Sequence, residues 1–305
     1  MLLTIALLTP MVLMPQETRT PEATSLLGRP LISPEPSAER KAAMEKDLAA
    51  ARLEFEKNPN SVDAAIWLGR RTAYLGRYRE AITIFSDAIT KHPSDPRLYR
   101  HRGHRYITVR EFDKAIDDLS KAASLVRDRP DEVEPDGQPN AKNIPTSTLQ
   151  TNIYYHLGLA RYLKGEFAAA ANAYHVCMAL SKNNDMRVAT AHWQYMTLRR
   201  LKRDAEAAKV LEAITADMPI IENASYHRLL MMYKGATEAD ALLDASKKES
   251  LDAVTIGYGV ANWHLYNGRT DRAKAILSEI VKQYETSQWA GFGYIASEAD
   301  FARLR

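Results

Sequence analysis

Eight histidines and a single cysteine are the side chains of this sequence best suited to hold a metal or attack a substrate. His101 and His104 stand three apart, a step that puts both imidazoles on one face of a helix, as a metal site needs. The nearest acids, Asp113, Asp117 and Asp118, belong to the next helical segment and are expected to face away, so no third ligand joins them. A polar groove wall is the expected role, and no metal site is assigned. Cys177 takes a place where two helices cross and only a small residue fits, which predicts a buried packing residue with a poorly nucleophilic thiol. His175, two residues before it, projects elsewhere on a helix, so no acyl-transfer set emerges. Gly257-x-Gly259 and Gly291-x-Gly293 look like pieces of a dinucleotide loop, yet both lie in helical text and follow no strand, so helix packing explains them better. Asn223-Ala224-Ser225 is a formal glycosylation sequon, relevant only to a eukaryotic secretory chain. No catalytic residue and no cofactor is expected.

The elements that carry these residues come next. The chain has 305 residues, 46% of them hydrophobic and 26% charged, the composition of a folded globular protein. Its 41 basic and 38 acidic side chains leave a net charge of +3, too little to suggest nucleic-acid binding by the whole surface. Residues 2–14 form an uncharged apolar run that is too short to span a bilayer, which needs ~20 residues, and has the length of a signal-peptide core. Residues 1–16 are therefore read as a signal peptide and the chain as exported, to the periplasm or outside, with no integral membrane span once the signal is removed. No basic residue precedes the run and no cysteine follows it. Residues 17–37, rich in proline, read as an extended tether.

From Ala38 onward the text is helical, with a fixed period. Gly69, Ala81, Phe85 and Ala88 are spaced by twelve, four and three residues, and the same offsets return in Gly103, Ala115, Leu119, Ala122 and in Gly158, Ala170, Tyr174, Cys177. Small residues at these places let two helices cross closely, and the large ones fill the groove beside them. Counting on the second-helix alanine gives Ala81, Ala115, Ala170, Ala207, Ala239 and Ala273, with a 21-residue insertion between the second and third. These residues resemble the tetratricopeptide family over roughly Ser61 to Tyr284, most strongly in the first three repeats. The resemblance implies an all-α fold, a right-handed superhelical solenoid of helical hairpins. The layout predicts a capping helix at 38–60, repeats at 61–127 and 149–284, an acidic proline-rich loop at 128–148, and a helical cap at 285–305 on the far end of the stack. An export signal ahead of such an array is also similar to the bacterial periplasmic tetratricopeptide lipoproteins that act as adaptors, although the cysteine that would carry the lipid is absent.

In that family the first helix of each hairpin lines a concave face. Applied here, the resemblance places Arg70, Tyr74, Arg97, Arg100, His101, His104, Asn152, Tyr155, His156 and His192 along one basic, aromatic groove. The family's clamp for chaperone C-termini is not reproduced, because Ile66 and Arg70 stand where a lysine and an asparagine would be. The expected function is a non-enzymatic scaffold that binds a protein or peptide, with acidic or C-terminal segments suited to the arginines. The acidic insertion leaves the hairpin that supplies most of them and is expected to lie across the groove. A self-associating assembly module, or a metal-binding protein built on His101, His104 and His156, are the alternatives.

Overall fold

The structure, a computed structural model, describes residues 20–246 and 251–305, so the signal segment expected at 1–16 lies outside the described residues. A short β-hairpin, β1 (Ala23–Thr24) and β2 (Pro30–Leu31), precedes α1 (Ala38–Lys57). Six helical hairpins follow: α2 (Val62–Tyr74) with α3 (Tyr78–Lys91), α4 (Pro96–Thr108) with α5 (Phe112–Val126), and α6 (Leu149–Lys164) with α7 (Phe167–Leu180). Then come α8 (Asn184–Arg200) with α9 (Asp204–Glu212), α10 (Ala224–Tyr233) with α11 (Ala239–Ala245), and α12 (Leu251–Tyr266) with α13 (Thr270–Gln283). A last helix, α14 (Phe292–Arg303), closes the described chain.

The helices start where the chemistry says they should. Ser61 and Asn183 accept hydrogen bonds from the backbone N–H of Ala64 and Met186, and Asp95 caps α4 just before Pro96, whose missing N–H costs nothing in a first turn. Inside each hairpin the register residues meet as their sizes require. The six alanines that set the period are all buried, and Gly69, Gly103 and Gly158 lie against the side chains of Phe85, Leu119 and Tyr174. First helices also pack on the next first helix, in the series α2, α4, α6, α8, α10, α12, which makes them the inner wall of an all-α solenoid.

Two segments differ from expectation. Residues 20–37 are no loose tether. Ala23 and Leu31 are buried, Trp289 Nε1 donates to Ile32 O at 2.8 Å, Ser33 Oγ to Gly76 O at 2.6 Å, and Arg79 N to Glu22 Oε2 at 2.9 Å. The prolines suggested an extended chain, but two apolar side chains and a tryptophan lid were enough to dock it as a clasp between the first hairpin and the C-terminal region. Nor does α14 simply cap the stack. It packs on α12 and α13 and also reaches α6 across the inner face, and its residues from Gly293 to Asp300 are buried without interruption. Gly293 permits this. A methyl there would come within 3 Å of the backbone of Val254 and Thr255, so the two helices touch main chain to main chain.

Candidate functional site

The inner wall is occupied at both ends by the chain itself. At the N-terminal end the insertion folds over α2, α4 and α6 as a non-helical strap whose two ends pair through an isolated bridge between Val133 and Thr148. Asp131 holds the base, accepting from Thr148 Oγ1 at 2.6 Å and Gln150 N at 3.0 Å. Glu134 then reaches inward. One of its oxygens lies 3.0 Å from Arg100 Nη2 and 3.6 Å from His101 Nε2, and the other accepts from Asn152 Nδ2 at 3.1 Å. Both members of the Glu134–Arg100 pair keep only 10% of their side-chain surface exposed, so the interaction is shielded from screening by water and salt. Pro135 O accepts from Arg70 Nη1 at 2.6 Å, and Gly137 O from Arg71 Nη1 at 3.1 Å. A side chain at position 137 would collide with Tyr74 Oη, which is itself held by Arg70 Nε at 3.2 Å. Farther along, Asn140 and Thr146 tie the strap to Glu222, ahead of α10.

Eight of the ten expected groove residues fall into two sets, and the other two stand apart. Arg70, Tyr74, Arg100, His101 and Asn152 converge on the strap. His104, Tyr155 and His156 surround Phe292 at the start of α14, with ring centroids 5.4, 6.4 and 5.6 Å from it. His192 belongs to neither group: its ring stacks between Tyr226 at 4.8 Å and Tyr233 at 5.9 Å in a separate aromatic layer. Arg97 is on the right helix but its charge is spent locally, on Asp95 at 2.7 Å and Asp63 at 2.6 Å.

The groove is therefore less basic than counted from sequence. Burial, with Arg100 and other arginines nearby, pushes His101 well below the usual imidazole range. His104 is lowered in the same way, and burial takes His156 and His192 down to about 3. All four are neutral near pH 7. The positive field that remains comes from Arg70, Arg100 and the buried Arg105, and the acidic strap answers the first two.

At the C-terminal end, α14 brings two buried carboxylates to the wall. Glu298 Oε2 accepts from Arg110 Nε at 2.9 Å and Nη2 at 2.7 Å, while Oε1 accepts from Leu26 N in the clasp at 2.5 Å. Asp300 accepts from Arg200 at 2.9 Å, Arg303 at 2.6 Å and Tyr258 Oη at 2.8 Å. Burial would raise the Asp300 carboxyl, but Arg200 and Arg303 outweigh it and hold the group below its usual range. Sequence reasoning missed Glu134, Arg71, Trp67, Phe292, Arg110 and Glu298. Of these only Glu134 carried a signal, as one of several acids in a long loop.

Between the strap and α2 a cavity of about 290 Å³ opens, lined by Ile66, Trp67, Arg70, His101, Val133 and Leu149 among others. The Arg70 guanidinium lies over the Trp67 ring at 4.6 Å. Among the described residues no group of three or more histidine, cysteine or acidic side chains stands close enough to hold a metal ion. Burial pushes the Cys177 thiol up to about 12, and it donates to Thr151 O at 3.4 Å, which leaves it a packing residue.

Residues 257–287, most of α12 and all of α13, match the family described as tetratricopeptide repeat. The chain is 35% identical over 63 residues to the Hsp70-Hsp90 organising protein of Plasmodium falciparum, a match covering 21% of this chain and 25% of that protein. The match thus spans about a quarter of that relative's length. Among solved structures it is similar to MamA, at 17% identity over 66% of this chain and 89% of that one, with a TM-score of 0.43. It is also similar to YrrB, described as a TPR protein with an unusual peptide-binding site, at 14% identity over 79% and 95% of the two chains, with a TM-score of 0.45.

Proposed function

We propose that this chain is a protein-binding scaffold without chemistry of its own, and that it works outside the cytoplasm. One observation carries the reading of the face. The inner wall already holds a non-helical segment through groups that any acidic peptide offers, a carboxylate on Arg100 and Asn152 and main-chain carbonyls on Arg70 and Arg71. A wall built to grip backbone and one carboxylate suits recognition of an acidic segment of a partner, since charge-assisted hydrogen bonds in a shielded site are the strong ones. The curated relative is named for organising two chaperones, which agrees with an adaptor role. The apolar run at residues 2–14 supports export.

The test is capture of partners from the native envelope fraction by the purified chain, identified by mass spectrometry and repeated with Arg70→Ala and Arg100→Ala combined. Loss of a specific partner in the double variant is the expected result. Retention of the same partners by the double variant would move the site to another face. An intact mass showing residue 1 retained in the cytosol would remove the envelope from the reading. Glu22 is bonded within the clasp, so a mature chain is expected to begin before it, between Met14 and Thr20.

A further inference from the structure

Resting on that reading, we infer that the strap is a ligand held in cis, and that the partner segment it stands in for carries a glutamate followed three residues later by a glycine. Three contacts define the match. The Glu134 carboxylate fills a polar pocket made by Arg100, His101 and Asn152, in which Arg100 is itself nine-tenths buried and its Nε has no hydrogen-bond partner. The next residue presents its carbonyl to Arg70. Two residues on, the main chain of Gly137 passes so close to Tyr74 and Arg70 that any side chain would have to displace one of them, while its carbonyl meets Arg71. The first contact selects an acid, the second asks only for a main chain, and the third rejects everything larger than hydrogen. Spacing between the pocket and the close approach fixes the motif at Glu-x-x-Gly.

The footprint is short because the rest of the wall is closed. Phe292 stands against His104 and His156, and the buried Glu298 and Asp300 pairs tie α14 in place, so a competing segment meets only the mouth formed by α2, α4 and the start of α6. The strap and a partner segment then exclude each other. A tethered competitor acts at an effective concentration of about millimolar, so a free peptide with micromolar affinity meets an occupied site until the strap is released.

The probe is a synthetic peptide of this chain's residues 131–139, labelled and titrated in trans against three proteins. These are the wild type, a Glu134→Gln variant, and a chain in which residues 132–138 are replaced by a Gly/Ser linker of equal length, with Asp131 kept because it holds the base of the strap. Thermal unfolding checks that each is folded, and Glu134→Gln serves if the linker variant is not. The peptide is expected to bind the linker variant at least tenfold more tightly than the wild type, with Glu134→Gln between them. Peptides carrying Glu134→Gln or Gly137→Val are expected to bind the linker variant at least tenfold more weakly than the native peptide. Equal binding to all three proteins, no binding to folded linker variant and Glu134→Gln alike, or full binding by the Gly137→Val peptide would overturn the inference. The two readings fail separately. If the peptide does not bind but the linker variant captures the same partners as wild type, the scaffold stands and the strap is only a loop; if neither captures a partner, the scaffold reading falls.

Discussion

The buried pair Arg110–Glu298 makes the sharpest demand on the closed architecture. Arg110 sits in the turn between α4 and α5 with φ of 67°, at the place where three other hairpin turns put Gly76, Gly165 and Gly268 at φ of 77°, 86° and 78°. A left-handed backbone costs a non-glycine residue about 1–2 kcal/mol, so the arginine is kept there against its own conformational preference. Its side chain explains why. Besides Glu298 it donates to Thr108 O at 2.6 Å and Trp289 O at 2.8 Å, joining the turn, the segment before α14 and, through Glu298, the clasp. Removing one partner of a buried pair costs about 3–5 kcal/mol because the other charge is left stranded. Glu298→Gln is therefore expected to cost about 3–5 kcal/mol. Arg110→Gly recovers the backbone strain, less the ~0.5–1 kcal/mol of extra freedom glycine gives the unfolded chain, and is expected to cost about 2–4 kcal/mol. The double variant leaves no stranded charge, so it should be little worse than Glu298→Gln alone, a coupling of about 2 kcal/mol or more in a urea-unfolding cycle. Hydrogen exchange at the Leu26 amide, whose acceptor is Glu298, should accelerate in Glu298→Gln. Additive single effects, or a Glu298→Gln variant within 1 kcal/mol of wild type, would refute the claim that this pair closes the solenoid.

Lys202 has the same left-handed backbone, φ 59°, in the exposed turn before α9, without the compensating contacts, so Lys202→Gly should stabilise the protein by up to about 1 kcal/mol in the same assay. Burial lowers His156 and His192 from 6.5 to about 3, so above pH 6.5 both are neutral folded or unfolded and contribute no pH dependence. Below pH 6.5 the unfolded chain takes protons that the folded one refuses; stability should fall as pH drops towards 3, by about 2 kcal/mol per histidine at pH 5, and His192→Phe should flatten that limb. Gly293→Ala forces helix backbones apart and should lower the melting temperature as much as Gly158→Leu, which meets a side chain rather than main chain, whereas a helix-favouring gain from the alanine would contradict the close approach.

The hairpins were legible because their signal is local. A small residue, a fixed offset and a large residue recur whatever lies beyond, and Ala81, Ala115 and Ala170 are buried as that pattern requires. Helices buried on every side gave a poorer signal. Nearly all of α8 from Asp185 to Leu198 is buried, so no polar face marks a period, and α14 hides Glu298 and Asp300 among apolar neighbours. Charge in the groove could not be counted from residue types. Arg97 looked like part of a cationic site, but Asp95 and Asp63 consume it, and His101 loses its proton to desolvation. The clasp was read as a tether because prolines describe a chain's stiffness and say nothing about a distant tryptophan placed to bond the carbonyl of Ile32.

Those long-range contacts change what kind of solenoid this is. An open array gains stability from neighbours alone and can fray or spread repeat by repeat. Here Glu298 is bonded to residues 188 and 272 positions away in sequence, and Arg303 donates to Leu163 O across 140 residues, so the two ends are tied through the centre. Spreading the wall to admit a long partner helix would strand Glu298 and Asp300 and uncover Tyr162, Tyr258 and Phe292 together. That sum exceeds what one peptide contact returns. The face can then exchange ligands only where its occupant leaves without separating the helices, and the strap, gripped by one carboxylate and two carbonyls, is an element of the inner wall that meets this condition.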